Sequence, residues 1–488
     1  MSEHKATVEY LSIVDTHFVR MHRGHGVQVA MQGLWMLRDV VDEATLADLH
    51  SGLAVGPLNR RAVRPRIPGG RHYWARGASI APVHRAPQPI RREDIVDWAD
   101  ERAQVRLNPE HGIGWEFSVA RLEDGGMVMS LVCSHALTDA QGMIAAVRAA
   151  ISGDTASVSD VPELPATRLS IWRELATACR QYWALLAGAF VAFYTIFIQG
   201  SNRDEIVRYL RLNRIDVLRR KRAVTLAKSG RLDESWREPA TIIDVDAAEW
   251  DAVAAKSGGT PNSLLVGIAA NLLFSSGART ANETVTIGVP VDLSELGTIA
   301  GRTPVRTNEL TIAPVTLRPR GTRYGELFLV RDTCRVAFAK AVAEKFPQDA
   351  RPASMPTEIL DIVPDRIAAR LVRTTGLADA VATYVGELPE GLTQLGPYQI
   401  ESTAARAVHP GLTPMAALES PFSLDLCLVR SGSRYTLSVI GVNPLRFPDS
   451  KALRSLAIRE LEKWGLVPQS WDSDQPGLGR PGGPSALY

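Results

Sequence analysis

Apolar and polar positions alternate along residues 26–37, which predicts a strand. Residues 42–53 repeat their apolar positions at helical spacing and predict a helix. Residues 115–121 and 127–133 are two short apolar runs joined by Asp124-Gly125-Gly126. A glycine pair tolerates positive φ, so this trio reads as a β-hairpin. Residues 139–151 follow as a helix, with Asp139 placed to cap its first turn. Residues 12–21 predict a short helix capped by Ser12, and the Arg-, Pro- and Gly-rich residues 56–89 predict irregular chain.

The pattern restarts near residue 240. Residues 241–245, 285–291 and 309–317 read as strands. Residues 246–256, 261–276 and 323–345 read as helices. A second hairpin, 422–429 with 434–442, turns at Ser431-Gly432-Ser433, and a helix over 448–464 carries Asp449 in its first turn. The division is then an N-terminal lobe (1–165), a helical connector (166–239), a C-terminal lobe (240–467) and a polar, Pro/Gly-rich tail (468–488) expected to be disordered. Residues 153–168, with Pro162 and Pro165, have a linker's composition.

The connector holds a stretch without charge, residues 182–198, followed by residues 203–222 with eight basic and three acidic side chains. Seventeen apolar residues are at the lower edge of a bilayer span. The stretch has three readings: a span, a core or tunnel-wall helix, and a membrane-surface anchor helped by the basic segment. A buried or peripheral helix is favoured, with peripheral membrane contact through 182–222. Residues 1–10 are polar, which predicts no secretory leader.

With 45% hydrophobic and 22% charged residues in 488, the composition excludes wholesale disorder. The net charge of +2 lacks the basic excess of a nucleic-acid binder, so no nucleic acid is expected. Cys133, Cys179, Cys334 and Cys427 are far apart, which argues against disulfides and structural zinc and fits a cytoplasmic protein. His17, His22 and His25 cluster without acidic or cysteine partners at ligand spacing, so no metal is expected. No GxSxG elbow is present, which disfavours a serine hydrolase.

The sharpest chemical feature is Ser134-His135-Ala136-Leu137-Thr138-Asp139-Ala140-Gln141-Gly142. A histidine ends a strand and an aspartate four residues later starts a helix. A neutral imidazole is a suitable general base for a hydroxyl, and the aspartate can fix its loop. A structural histidine beside a helix cap accounts for the same spacing.

Ile113-Gly114-Trp115-Glu116, the glycine hairpin, His135 and Asp139 resemble, in order, the PLWE-like stretch, hairpin and HHxxxDG motif of the wax ester synthase/diacylglycerol acyltransferase family. The likeness continues in Leu11-Ser12-Ile13-Val14-Asp15-Thr16-His17-Phe18, Pro261-Asn262-Ser263, Val289-Pro290-Val291-Asp292-Leu293, Thr307-Asn308 and Gly441-Val442-Asn443-Pro444. The chain departs from the pattern at Ser134, Ala140, Ser263 and Ser294 and resembles a divergent member.

The resemblance implies an α/β, two-lobed chloramphenicol-acetyltransferase-like fold, each lobe a mixed sheet with packed helices and a tunnel between them. It implies an O-acyltransferase that moves a long-chain acyl group from acyl-CoA to a lipid-like alcohol or diacylglycerol, without an acyl-enzyme. Acyl-CoA is then a co-substrate, and no cofactor is expected. His135 is implied as the base and Asp139 as its structural partner. Asn308, Asn262 and Trp115 are implied toward substrate, Asn308 in the oxyanion region. A turn residue at Asn308 and a helix cap at Asn262 are the plainer readings. Two other functions stay open: transfer from an acyl-carrier protein to a polyketide or glycolipid hydroxyl, and a catalytically silent lipid-binding relative.

Overall fold

Strand β1 (Ala30–Leu37) sorts its side chains by parity. Met31, Trp35 and Leu37 enter one apolar core, whereas Ala30, Leu34 and Met36 enter another. All eight residues are buried, so the strand is covered on both faces. These relations come from a computed structural model. It describes residues 8–24, 27–153, 168–194, 214, 218, 221–222, 224–226, 229–230, 232–280, 282–292, 308, 310–318, 324–345, 365, 378–420 and 422–472.

On one side, β1 pairs antiparallel with β6 (Met127–Ser134), which forms the expected hairpin with β5 (Trp115–Arg121). The short β4 (His84–Arg85) closes that edge, and β2 (Arg60–Val63) pairs with β3 (Tyr73–Arg76) in a separate ribbon. Ahead of β1 lies α1 (Ile13–His22), capped by Ser12 with Asp15 in a reciprocal capping box. Helices α2 (Glu43–Val55) and α4 (Ala140–Ser152) pack on each other and cover one face of the sheet. Helix α3 (Ile95–Ala103) lies on the other face.

The second sheet has the order β15-β7-β14-β13-β10-β8-β9. Its strands are β7 (Ala240–Asp246), β8 (Val285–Asp292), β9 (Leu310–Leu317), β10 (Ala380–Glu387), β13 (Leu424–Ser431), β14 (Arg434–Gly441) and β15 (Gln469–Ser470). Helices α6 (Ala247–Lys256), α7 (Pro261–Ser275), α8 (Phe328–Lys345) and α10 (Ser450–Lys463) supply the apolar side chains of its core. Helix α7 is apolar on every side and accordingly buried from Ser263 to Leu273. Two more elements are α5 (Ile171–Tyr194) and the short α9 (Pro414–Glu419).

Two strands cross between the halves. β11 (Gln394–Leu395) and β12 (Tyr398–Val408) come from the second half but extend the first sheet, β12 pairing with β1 from Ala30↔Val408 to Leu37↔Ile400. The division at residue 240 is corrected there: β1 would otherwise be an open edge with unpaired backbone groups. Where the sheets meet, Arg406 donates through Nε to Gln32 Oε1 (2.8 Å) and pairs with Asp100 (2.7 Å). Ser402 donates to the buried Asp244 carboxylate of β7 (2.7 Å). Buried polar groups joined in this way do not carry the cost of isolated ones.

Three other expectations are corrected. The helix placed over 323–345 starts at Phe328, because the Tyr324-Gly325 turn has positive φ at Gly325. Residues 469–471, placed in the tail, are structured instead: β15 pairs with β7 and Trp471 is buried. The stretch 182–198 is not a core helix over its described part, since α5 exposes Trp183, Leu186 and Phe190. Residues 154–167, 195–198, 473–488 and most of 203–222 lie outside the described residues.

Candidate active site

β6 ends at Ser134 and the chain turns through His135, Ala136 and Leu137 before α4 begins at Ala140. The turn is held by backbone bonds, His135 N–H to Val29 O (3.2 Å) and Leu137 N–H to Ser134 O (2.9 Å). Asp139 caps α4 by accepting from Gly142 N–H at 2.8 Å. A carboxylate there also faces the positive end of the helix dipole. Gly142 is needed for this approach, because a Cβ would lie 1.9 Å from Thr138 Oγ1.

Arg60 of β2 holds the far side of the turn. Its buried guanidinium donates to Leu137 O, lies 3.6 Å from Glu9 and stacks over Trp74, 4.4 Å from the ring centre. Burial lowers its pKa, while the charges of Glu9, Asp15 and Asp139 act the other way. Asp139 therefore caps a helix and faces a buried cation at once.

Helix α1 backs the same turn. Phe18 stacks on the His135 ring with centroids 4.2 Å apart and planes 14° from parallel. His22 Nε2 lies 2.7 Å from Ser134 Oγ, and its Nδ1 lies 3.0 Å from Leu107 O. A carbonyl only accepts, so Nδ1 carries the proton and Nε2 accepts from the Ser134 hydroxyl. Burial holds His22 down at about 4, which matches a neutral acceptor. Asn308 comes from the second half. Its Nδ2 donates to Asp15 Oδ1 (2.6 Å) and to His135 O (2.8 Å).

His135 itself is half-buried, and its Nδ1 is enclosed without a hydrogen-bond partner among the described residues. Desolvation lowers its pKa below the ordinary histidine value. Its own backbone, Asp139, Asn308 and Asp15 oppose that shift. The product is a neutral imidazole at neutral pH, fixed by a ring stack and a tight turn. Such a group accepts a proton readily.

The structure brings His135, Asp139 and Asn308 into one cluster, while Trp115 packs in the core away from solvent. Trp115 is fully buried in the first core with its ring against His50, 5.4 Å between centroids, so it has no surface to offer a ligand. Asn262 is not the cap of α7: Thr260 is, in a capping box with Ser263. Asn308, expected in the oxyanion region, has both amide hydrogens engaged here by Asp15 and His135 O.

Asp15, Phe18, His22 and Arg60 were not singled out as site residues by sequence. The run Leu11 to Phe18 carried the signal for the first two, while nothing in the spacing pointed to Arg60. No group of metal-ligating side chains occurs among the described residues, and His25 lies outside them.

No protein-family model matches the chain, and no curated protein matches it. Solved structures match nearly all of it. The wax ester synthase/diacylglycerol acyltransferase from Marinobacter aquaeolei VT8 is 13% identical with a TM-score of 0.51, covering 93% of this chain and 98% of its own. The first condensation domain of the CDA synthetase is 14% identical with a TM-score of 0.55, covering 96% and 98%. Polyketide synthase associated protein 5 from Mycobacterium tuberculosis is 14% identical with a TM-score of 0.52, covering 93% and 98%. At this identity the likeness is one of fold, and fold alone does not assign chemistry. The chain therefore has the mixed α/β, two-lobed fold of these acyltransferase and condensation-domain structures.

Proposed function

We propose that this chain is an acyltransferase that moves a long-chain acyl group from acyl-CoA to the hydroxyl of a lipid-like alcohol or diacylglycerol. The observation that carries the reading is His135: a neutral, partly enclosed imidazole on a turn held by residues from both halves. His135 takes the proton of the acceptor hydroxyl. The alkoxide oxygen attacks the thioester carbonyl carbon, a C–O bond forms and the C–S bond breaks. The departing thiolate takes the proton back from the imidazolium, so no acyl-enzyme is formed and the base is regenerated.

Likeness to a condensation domain and to a polyketide synthase associated protein favours a second reading, with the acyl group delivered by a carrier protein. The test supplies each donor, long-chain acyl-CoA and acylated carrier protein, with a panel of long-chain alcohols and diacylglycerol. Ester product and released thiol are measured together. One ester per thiol, with one donor preferred, supports acyl transfer and identifies the donor. Thiol release that ignores the acceptor would be thioester hydrolysis and would contradict the proposal. No turnover with any pair would favour a silent lipid-binding relative.

A further inference from the structure

Helix α5 turns two polar side chains, Glu174 and Gln181, inward and its large apolar ones outward. Glu174, Ala178 and Gln181 are buried, whereas Trp172 is 76% exposed, Trp183 74%, Leu186 64% and Phe190 72%. At about 100° per residue, Trp172, Leu175, Trp183, Leu186 and Phe190 fall within a sector of about 80°. The buried stripe lies on the opposite side. A surface helix of a soluble protein ordinarily shows the reverse order.

The inverted orientation is set by specific contacts. Glu174 accepts from Arg66 N–H (2.8 Å) and from Arg66 Nε (3.3 Å). Tyr182 donates to Pro68 O (3.4 Å), and the N–H of Leu169, just ahead of the helix, donates to Tyr73 Oη (3.1 Å). These bonds fasten the helix to the 66–73 segment and leave its aromatic face to the surroundings.

The charges choose the partner. Arg173 and Arg180 are exposed along one edge of the apolar sector. Glu174 is the sole carboxylate within 171–194, and it is turned inward. The chain then continues into residues 203–222, with eight basic and three acidic side chains. No helix among the described residues is long and apolar enough to cross a membrane. Tryptophan and phenylalanine beside arginine are the composition of a helix lying in the bilayer interface.

We infer that α5 seats Trp172, Trp183, Leu186 and Phe190 in the headgroup layer of an anionic phospholipid bilayer, with Arg173 and Arg180 toward the phosphates. This surface is independent of the proposed chemistry, and either stands if the other fails. It lies near the candidate site by contact: the 66–73 segment contains His72, which meets Arg23 beside α1 at 3.0 Å.

The test is flotation of the full chain with vesicles of phosphatidylcholine alone or with roughly one-third phosphatidylserine. Binding to the anionic vesicles is expected to exceed neutral binding by about tenfold and to weaken with salt. Trp183→Glu with Phe190→Glu alters only exposed side chains and is expected to lower binding by about tenfold or more while the thermal transition stays in place. Arg173→Glu with Arg180→Glu is expected to abolish the anionic preference. Absent binding by the wild type, or unchanged binding in the Trp183/Phe190 variant, would overturn the inference. So would sedimentation showing a wild-type oligomer that the same variant dissociates, since the face would then belong to a second copy.

Discussion

The account turns on His135, whose properties come from its neighbours more than from itself. Burial favours the neutral ring, so the acid limb of kcat/KM against pH is expected to have its midpoint below 6.5. A midpoint above that value would mean that a different group is the base or that an acid holds the proton. Asn308 tests the positioning arm: it joins the His135 carbonyl to Asp15. Asn308→Ala is expected to lower kcat by about ten- to a hundredfold with KM little changed, because the turn loses alignment and substrate contacts remain. Unchanged kcat would remove Asn308 from the site. His72 carries a separate expectation for stability. Burial holds it down at about 4, so it is neutral in the folded chain. Its unfolded counterpart takes a proton near pH 6.5, so its contribution is whole above 6.5 and lost as pH falls toward 4. The loss is on the order of 3 kcal/mol, and denaturation against pH should decline less steeply in His72→Asn than in the wild type. The histidine and aspartate of this site were legible in the sequence as a strand-end pair. Phe18 and Arg60 were not, since a ring stack and a buried cation depend on elements distant in sequence.

Among the elements, α4 does most to place the turn. Asp139 and Gly142 set its start, and Thr138 fills the space where a side chain at 142 would sit. Gly142→Ala is therefore expected to destabilise the fold by about 1–3 kcal/mol, read as a lower urea midpoint with an unchanged slope. No change in midpoint would show that Thr138 moves aside freely. Ala140, where the resembling motif has glycine, is the first residue of α4, a position any side chain accepts. Ser134 stands where that motif has its first histidine, and here His22 comes from α1 to meet it. Capping residues were the most legible part of the local structure: Ser12 and Asp139 receive the N–H groups expected of helix caps, whereas Asp449, placed in a first turn, is itself the cap of α10. Asn262 misled because asparagine is itself a good cap, while Thr260 caps α7 two residues earlier with Pro261 at its first position. Helix α5 was harder to place, since an apolar run does not tell burial from outward exposure. Its two inward polar groups decide it.

At the scale of the molecule, β12 and Asn308 make the two halves one unit. The order of strands along the chain suggested a clean division, and the pattern within β12 carries no mark of which sheet receives it. Pairing over hundreds of residues is settled by the edge that β1 leaves open. A fragment ending at residue 239 is therefore expected not to fold alone, which calorimetry would show as the absence of a cooperative transition. A sharp transition in that fragment would mean that the first sheet stands without β12. The order of most elements was legible because hairpins and helices write local periods, whereas the two-lobed fold was implied by the resemblance. The measurement that tests the central claim most directly is acceptor-dependent thiol release from a long-chain acyl-CoA by the full chain and by His135→Ala. The account predicts release in the wild type and a loss of about 10²–10⁴-fold in the variant, with folding retained. Equal release by both proteins would contradict it.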